Sequence, residues 1–292
     1  KSGILPLAAN FLLAQAMQSY DSWPWPASLA ENDYPYAIGS MTTNPSLPPQ
    51  AALAPGAVAA PDEFRNPLST RAWLLAGLGV ALAAAVCARW VDLPLAIWIR
   101  QSVSDGVNTS FEWIGELGES GRYIGVALAF YVIGLVGLAR GWRNPVRMSY
   151  ASMARGSLLM LSTMAVGGLV VLVLKRSVAR ARPELFFEKG IYGLGESFSR
   201  ANQFNSFPSS HTYAAFAVAV VLGILAPRWR WAFLSLAALV AASRLVNLDH
   251  YLSDVLTAAA IAIAVGHLLA PRVLCSKYQW PLRAPWRWWK KG

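Results

Sequence analysis

Apolar residues along this chain come in long blocks rather than at the spacing of an amphipathic helix. The blocks lie at about 72–91, 123–139, 157–174, 211–226, 231–247 and 254–271. A helix that crosses a bilayer needs about 20 apolar residues, with a range of about 17–25. Several blocks fall at the short end, so flanking polar residues are expected to extend them. Six blocks filling most of 72–271 argue against the buried helices of a large soluble protein. They predict an all-α integral membrane bundle of six transmembrane helices, with short amphipathic or loop elements on its outer side.

The first 66 residues are another kind of sequence. Ten of the chain's 18 prolines lie in 1–67, and 42–61 is mostly Pro, Ala, Ser and Thr. That composition favours extended chain over a packed domain. The apolar patch 3–17, ending in Ala14-Gln15-Ala16, loosely imitates a secretory cleavage site. Cleavage there would reverse the topology that the charges favour, so an interfacial segment is the preferred reading. The expected organisation is a Pro/Ala-rich extension over 1–66, a six-span domain over 67–272 and a basic, Trp-rich tail over 273–292.

Composition supports the membrane reading. Hydrophobic residues make up 55% and charged residues 14%, against about 25% charged in an ordinary soluble domain. The net charge of +10 could invite a nucleic-acid reading, but the cations sort by side. Arg140, Arg143, Arg147 and Arg155 follow the second block, and Arg228 and Arg230 follow the fourth. The tail adds Arg272, Lys277, Arg283, Arg287, Lys290 and Lys291. The connection 92–122 carries only Arg100 and Arg122 beside several carboxylates. Positive loops stay in the cytoplasm, so both termini are expected there, in what reads as a bacterial inner membrane. Trp280, Trp286, Trp288 and Trp289 interleave with basic residues, a pattern that suits an anionic membrane surface better than RNA. Cys87 and Cys275 offer neither disulfide nor metal spacing.

Three polar clusters interrupt this apolar background: Lys175 with Arg182-Pro183, Pro208-Ser209-Ser210-His211, and Ser243-Arg244 followed by His250 and Asp254. Each has an ordinary explanation when taken alone. His250 and Asp254, four apart, could merely cap a helix; as a catalytic pair, the carboxylate would fix the imidazole tautomer. Lys175 and Arg244 could snorkel to the interface; as ligands, they would hold phosphate oxygens. Arg176 and Arg180 compete for that role, and spacing does not choose between them. His211 could cap its block or shuttle a proton. His267, inside the last block, reads as a packing or interfacial residue. The separate explanations fail on coincidence: parity puts all three clusters at one membrane face, the outer one.

Lys175-x6-Arg182-Pro183, Phe207-Pro208-Ser209-Ser210-His211 and Ser243-Arg244-x5-His250-x3-Asp254 resemble the three signature motifs of the type 2 phosphatidic acid phosphatase family. The resemblance covers about 72–271 and leaves the N-terminal extension outside. It implies six packed transmembrane helices with a site near the outer surface. Lys175, Arg182 and Arg244 would hold the phosphate, with Ser209 and the Ser210 backbone amide completing the cradle. His250 would be the nucleophile, Asp254 its orienting carboxylate, and His211 the general acid and then base. No cofactor and no metal is implied. One departure is Ser210, where the family usually has Gly; altered substrate preference is the expected effect.

Location at the helix ends points to a membrane lipid phosphate as substrate, and the bilayer itself is the other expected partner. Undecaprenyl diphosphate, phosphatidylglycerophosphate, phosphatidic acid and lipid A phosphates all fit, because the motifs read phosphate and not tail. The first and the phospholipids lead. A phosphotransferase or a lipid A phosphatase could use the same residues. A non-catalytic lipid-binding protein would not need His211, His250 and Asp254 together. A transporter would place its polar residues at the midplane.

Overall fold

A computed structural model of the chain describes residues 68–142, 150–198 and 202–274. The extension over 1–66, the apolar patch 3–17, the tail over 273–292 apart from its first two residues, and Arg143 and Arg147 lie outside the described residues. Among the described residues the chain is helical, and its one β contact is an isolated bridge between Arg180 and Leu194.

Helix α1 (Thr70–Trp90) opens where the Ser69 hydroxyl accepts from the Ala72 N–H at 3.2 Å, the usual remedy for an orphan donor. Short helices α2 (Asp92–Ser102) and α3 (Asp105–Glu116) follow. Helix α4 (Ser120–Arg140) ends on Gly141 at φ +62°, a left-handed stop that glycine adopts freely. Helix α5 runs Tyr150–Val178 and the short α6 Pro183–Lys189. Three apolar helices complete the fold: α7 (Ser210–Leu225), α8 (Arg230–Val246) and α9 (Leu252–Leu274).

Each expected apolar block is a helix, with two differences in length. Block 157–174 extends to 29 residues because Ser, Arg and Lys at its ends continue the backbone ladder. Block 211–226 is a helix of only 16 residues. Five stretches among the described residues are therefore long and apolar enough to cross a membrane, and α7 is a shorter sixth apolar helix. The connection 92–122, expected to be a long loop, instead holds α2 and α3. The chain is an integral membrane protein.

Helix α7 is the centre of the bundle, with α5, α8 and α9 packed around it. Its Tyr213, Ala214, Ala217 and Val221 meet Leu159 and Met164 of α5 and Ala258 and Ala262 of α9 in one apolar core. A second contact joins its Ala215 and Ala219 to Ala237 and Val240 of α8. Lipid tails are as apolar as the helices, so association here depends on close van der Waals contact, which small residues permit. Helix α4 lies on α5 by the same means: a Cβ at Gly134 would stand 2.9 Å from that of Ala154. The opposite faces are greasy and open, with Leu74, Leu75, Leu78 and Leu82 of α1 all exposed. This packing leaves the last turns of α5 and α8 and the first turns of α7 and α9 at one end of the bundle.

Candidate active site

The end of α5, the loop that follows and the start of α9 are tied together by one buried guanidinium. Arg180 donates to Asp254 Oδ1 and to Asp92 Oδ2, each at 2.8 Å, and to the Ser253 hydroxyl at 2.6 Å. Its guanidinium also lies 4.3 Å from the centre of the Tyr251 ring, a favourable cation–π distance. Asp92 is filled in turn by the Ser253 N–H at 3.0 Å and the Ser253 hydroxyl. Burial opposes charge on Arg180, but Asp254 and Asp92 outweigh it and hold the guanidinium above its ordinary pKa. Arg180 thus spends its donors on buried protein partners.

Asp254 has no lone pair aimed at an imidazole proton. Its second oxygen accepts from the Ser206 hydroxyl at 2.6 Å and the Tyr251 N–H at 2.9 Å. His250 Nδ1 stands 3.9 Å from that oxygen and instead donates to the Ser206 carbonyl at 2.6 Å. The direct bond expected from their four-residue spacing is thus replaced by a relay through Ser206, whose hydroxyl the carboxylate holds and whose carbonyl holds the ring. Because the Ser206 carbonyl can only accept, Nδ1 carries the proton and Nε2 keeps its lone pair.

His250 is buried. Its pKa lies well below the ordinary histidine range, first because burial penalises the cation and then because Lys175 and Arg182 repel it; the Ser206 carbonyl pushes the other way. A neutral ring with a free Nε2 beside fixed cations is the form that attacks phosphorus.

The remaining expected site residues gather around it. Lys175, in the last turn of α5, donates to the Asn205 carbonyl at 2.6 Å. Arg182 reaches Asp249 Oδ1 at 3.5 Å, and its buried Nε has no hydrogen-bond partner. Arg244, in the last turn of α8, meets Asp249 Oδ2 at 3.0 Å and the Ser243 hydroxyl at 3.3 Å. Ser209 is fully buried; its N–H bonds the Asp254 carbonyl at 3.3 Å and its hydroxyl caps α7 at the Thr212 N–H, 3.4 Å away. Ser210 and His211 form the first turn of α7. Lys175, Arg182 and Arg244 all lie within electrostatic reach of both His211 and His250. A cavity of about 620 Å³ opens beside them, lined among others by His211, Arg244, Asp249, Asn108 and Glu112. His267 stands apart, its ring 6.4 Å from that of Trp73.

Residues 156–274 match the family described as the PAP2 superfamily. Over that stretch, from within α5 to the end of α9, the chain resembles the superfamily. Over 149 residues it is 32% identical to the lipid A 1-phosphatase of Rhizobium etli, covering 49% of this chain and 63% of that one. The Rhizobium johnstonii lipid A 1-phosphatase matches equally well, with 60% of its length covered. The chain thus spans about three-fifths of the length of these two curated relatives. Among solved structures, a PAP2-type phosphatidylglycerolphosphate phosphatase from Bacillus subtilis shares the fold, with a TM-score of 0.50 at 21% identity over 68% of this chain and 93% of that one.

The PAP2 match begins inside α5, yet three residues upstream of it shape the site. Asp92 neutralises Arg180 from α2. Gly115 lets α3 lie against Arg244, and Gly118, just beyond it, lets the chain pass close to His211: a Cβ at Gly115 would fall 1.6 Å from Arg244 Nη2, and one at Gly118 2.7 Å from His211 Cβ. Sequence reasoning missed all three, together with Ser206 and Ser253. Asp92 did carry a signal, being a lone carboxylate at the edge of an apolar run, where a charge is expensive unless it is paired.

Gly115→Ala makes a sharp test of the site, because the colliding atom is the flexible end of a side chain. The bundle should keep its melting temperature while binding of inorganic phosphate falls roughly tenfold; a lost fold with intact binding would contradict this. A second prediction concerns charge. Free histidine titrates at about 6.5, so the unfolded chain protonates before folded His250 does. Stability from this group is complete above that pH and is lost as pH falls. With [15N]histidine, His250 should show the neutral Nδ1–H pattern from pH 8 down to 5.5; titration near 6.5 would contradict it.

Proposed function

We propose that this chain is a membrane phosphatase that hydrolyses a lipid phosphate or diphosphate through a phosphohistidine intermediate, without a metal ion. The observation that carries this reading is the Nδ1–H bond of His250 to Ser206, which leaves Nε2 unprotonated where three cations converge. Lys175, Arg182 and Arg244 draw the phosphate oxygens and stabilise charge that develops on them. Nε2 of His250 attacks phosphorus, the bond to the leaving oxygen breaks, and His211 gives that oxygen its proton. Water then attacks the phosphohistidine and its proton passes to His211. The P–N bond breaks, releasing inorganic phosphate and neutral His250.

The site lies at the ends of apolar helices, so its substrate is one whose tail stays in the bilayer. Kinship with the two Rhizobium proteins moves lipid A 1-phosphate to the front of the candidates, beside undecaprenyl diphosphate, phosphatidylglycerophosphate and phosphatidic acid. Positive charge after Arg140 and around Arg228 supports a site facing the periplasm from a bacterial inner membrane.

Purified protein should release phosphate from at least one of these four lipids, with turnover unchanged in EDTA and lowered at least about 10³-fold in His250→Ala. Retained turnover in that variant would remove His250 as nucleophile. Loss in EDTA, restored by Mg²⁺, would overturn the metal-free mechanism.

A further inference from the structure

Asp249 joins the two guanidiniums that this reading assigns to phosphate. Its two oxygens reach Arg182 Nη1 at 3.5 Å and Arg244 Nη1 at 3.0 Å. The backbone holds it there, because the N–H groups of both Asp249 and His250 donate to the Arg244 carbonyl, at 3.1 and 3.2 Å. The side chain is 28% exposed and lines the cavity beside His211, so it has somewhere to go. A carboxylate offers a guanidinium the same planar pair of acceptors as a phosphate.

We propose that Asp249 is an internal occupant of the anion seat, which an incoming phosphate must displace from Arg182 and Arg244. The inference rests on the reading of those two arginines as phosphate ligands. Displacing Asp249 costs every anion the same amount, so the ratio between two ligands is unaffected. What it sets is a threshold. An anion that binds the cations only weakly, such as the singly charged phosphodiester of an ordinary phospholipid, fails to evict the carboxylate. A doubly charged phosphomonoester or a diphosphate gains more from the same cations and succeeds. The seat is thereby kept clear of the commonest headgroups in the surrounding bilayer.

The test is equilibrium binding of inorganic phosphate to the purified full chain in detergent, by calorimetry, in wild type and three variants. Asp249→Asn keeps the shape and removes the charge; it should tighten binding about tenfold or more. Glu188→Gln removes one charge from another wall of the cavity and should change affinity less than about threefold. Arg244→Ala should weaken binding. Unchanged or weaker binding in Asp249→Asn would overturn the proposal, because Asp249 would then be holding the arginines in place for the ligand. Equal tightening in Asp249→Asn and Glu188→Gln would also overturn it, by reducing the effect to the general field of the cavity. If Arg244→Ala binds as well as wild type, the assignment of the arginines fails and the proposal with it, whatever Asp249→Asn does.

Discussion

The site depends on a single cation placed between two buried carboxylates. Arg180 takes Asp254 on one side and Asp92 on the other, and no member of the trio is exposed enough to be solvated by water instead. A buried ion pair of this kind is weak evidence for stability, since desolvation offsets most of its attraction. Its value here is directional. The carboxylate of Asp254 is fixed by Arg180, Ser206 by Asp254, and the His250 ring by Ser206. Each link is short and buried, so the ring has one orientation and one tautomer before any ligand arrives. Such preorganisation avoids reorganisation during reaction.

The same end of the bundle therefore contains two kinds of charge with separate duties. Arg180, Asp92 and Asp254 are closed upon one another and, through Ser206, fix the His250 ring. Lys175, Arg182 and Arg244 are more lightly engaged: Lys175 meets the Asn205 carbonyl, and both arginines meet Asp249, with Arg244 lining the cavity. The division explains how a loop so rich in arginine can serve both folding and chemistry, and why neighbouring cations are not interchangeable within it.

Much of this was legible from residues alone, for identifiable reasons. Long apolar blocks announce membrane helices because bilayer thickness imposes a length that needs no tertiary knowledge; among the described residues five spans meet that length, while the block at 211–226 is a helix of only 16 residues. Lys175, Arg244, His211, His250 and Asp254 stood out because a polar residue at the end of an apolar block is conspicuous, whereas the choice of Arg182 over Arg176 and Arg180 rested on the motif resemblance alone. What escaped was whatever depended on a partner distant in sequence. Arg180 finds Asp92 across 88 positions and Asp254 across 74, and no local spacing announces either pairing. The helical i, i+4 rule likewise misjudged His250 and Asp254: helix α9 begins only at Leu252, so His250 precedes it and turns to the Ser206 carbonyl. Gly115 gave no sign, since its importance is an empty volume that Arg244 fills.

Helix α7 bears on how the protein meets its membrane. Sixteen residues rise about 24 Å, roughly 6 Å short of a hydrocarbon core about 30 Å thick. A lone helix of that length would thin the bilayer around it or tilt upright. Only the end residues Ser210 and Leu225 are exposed; the rest of α7 is clad by its neighbours. The mismatch is absorbed by protein rather than by lipid. Bilayer thickness is felt instead by the greasy outer faces of the helices around it, among them Leu74 of α1, Val132 of α4, Leu172 of α5 and Leu236 of α8, all exposed. The depth at which α7 presents His211 is therefore set by the helices packed around it rather than by the lipid.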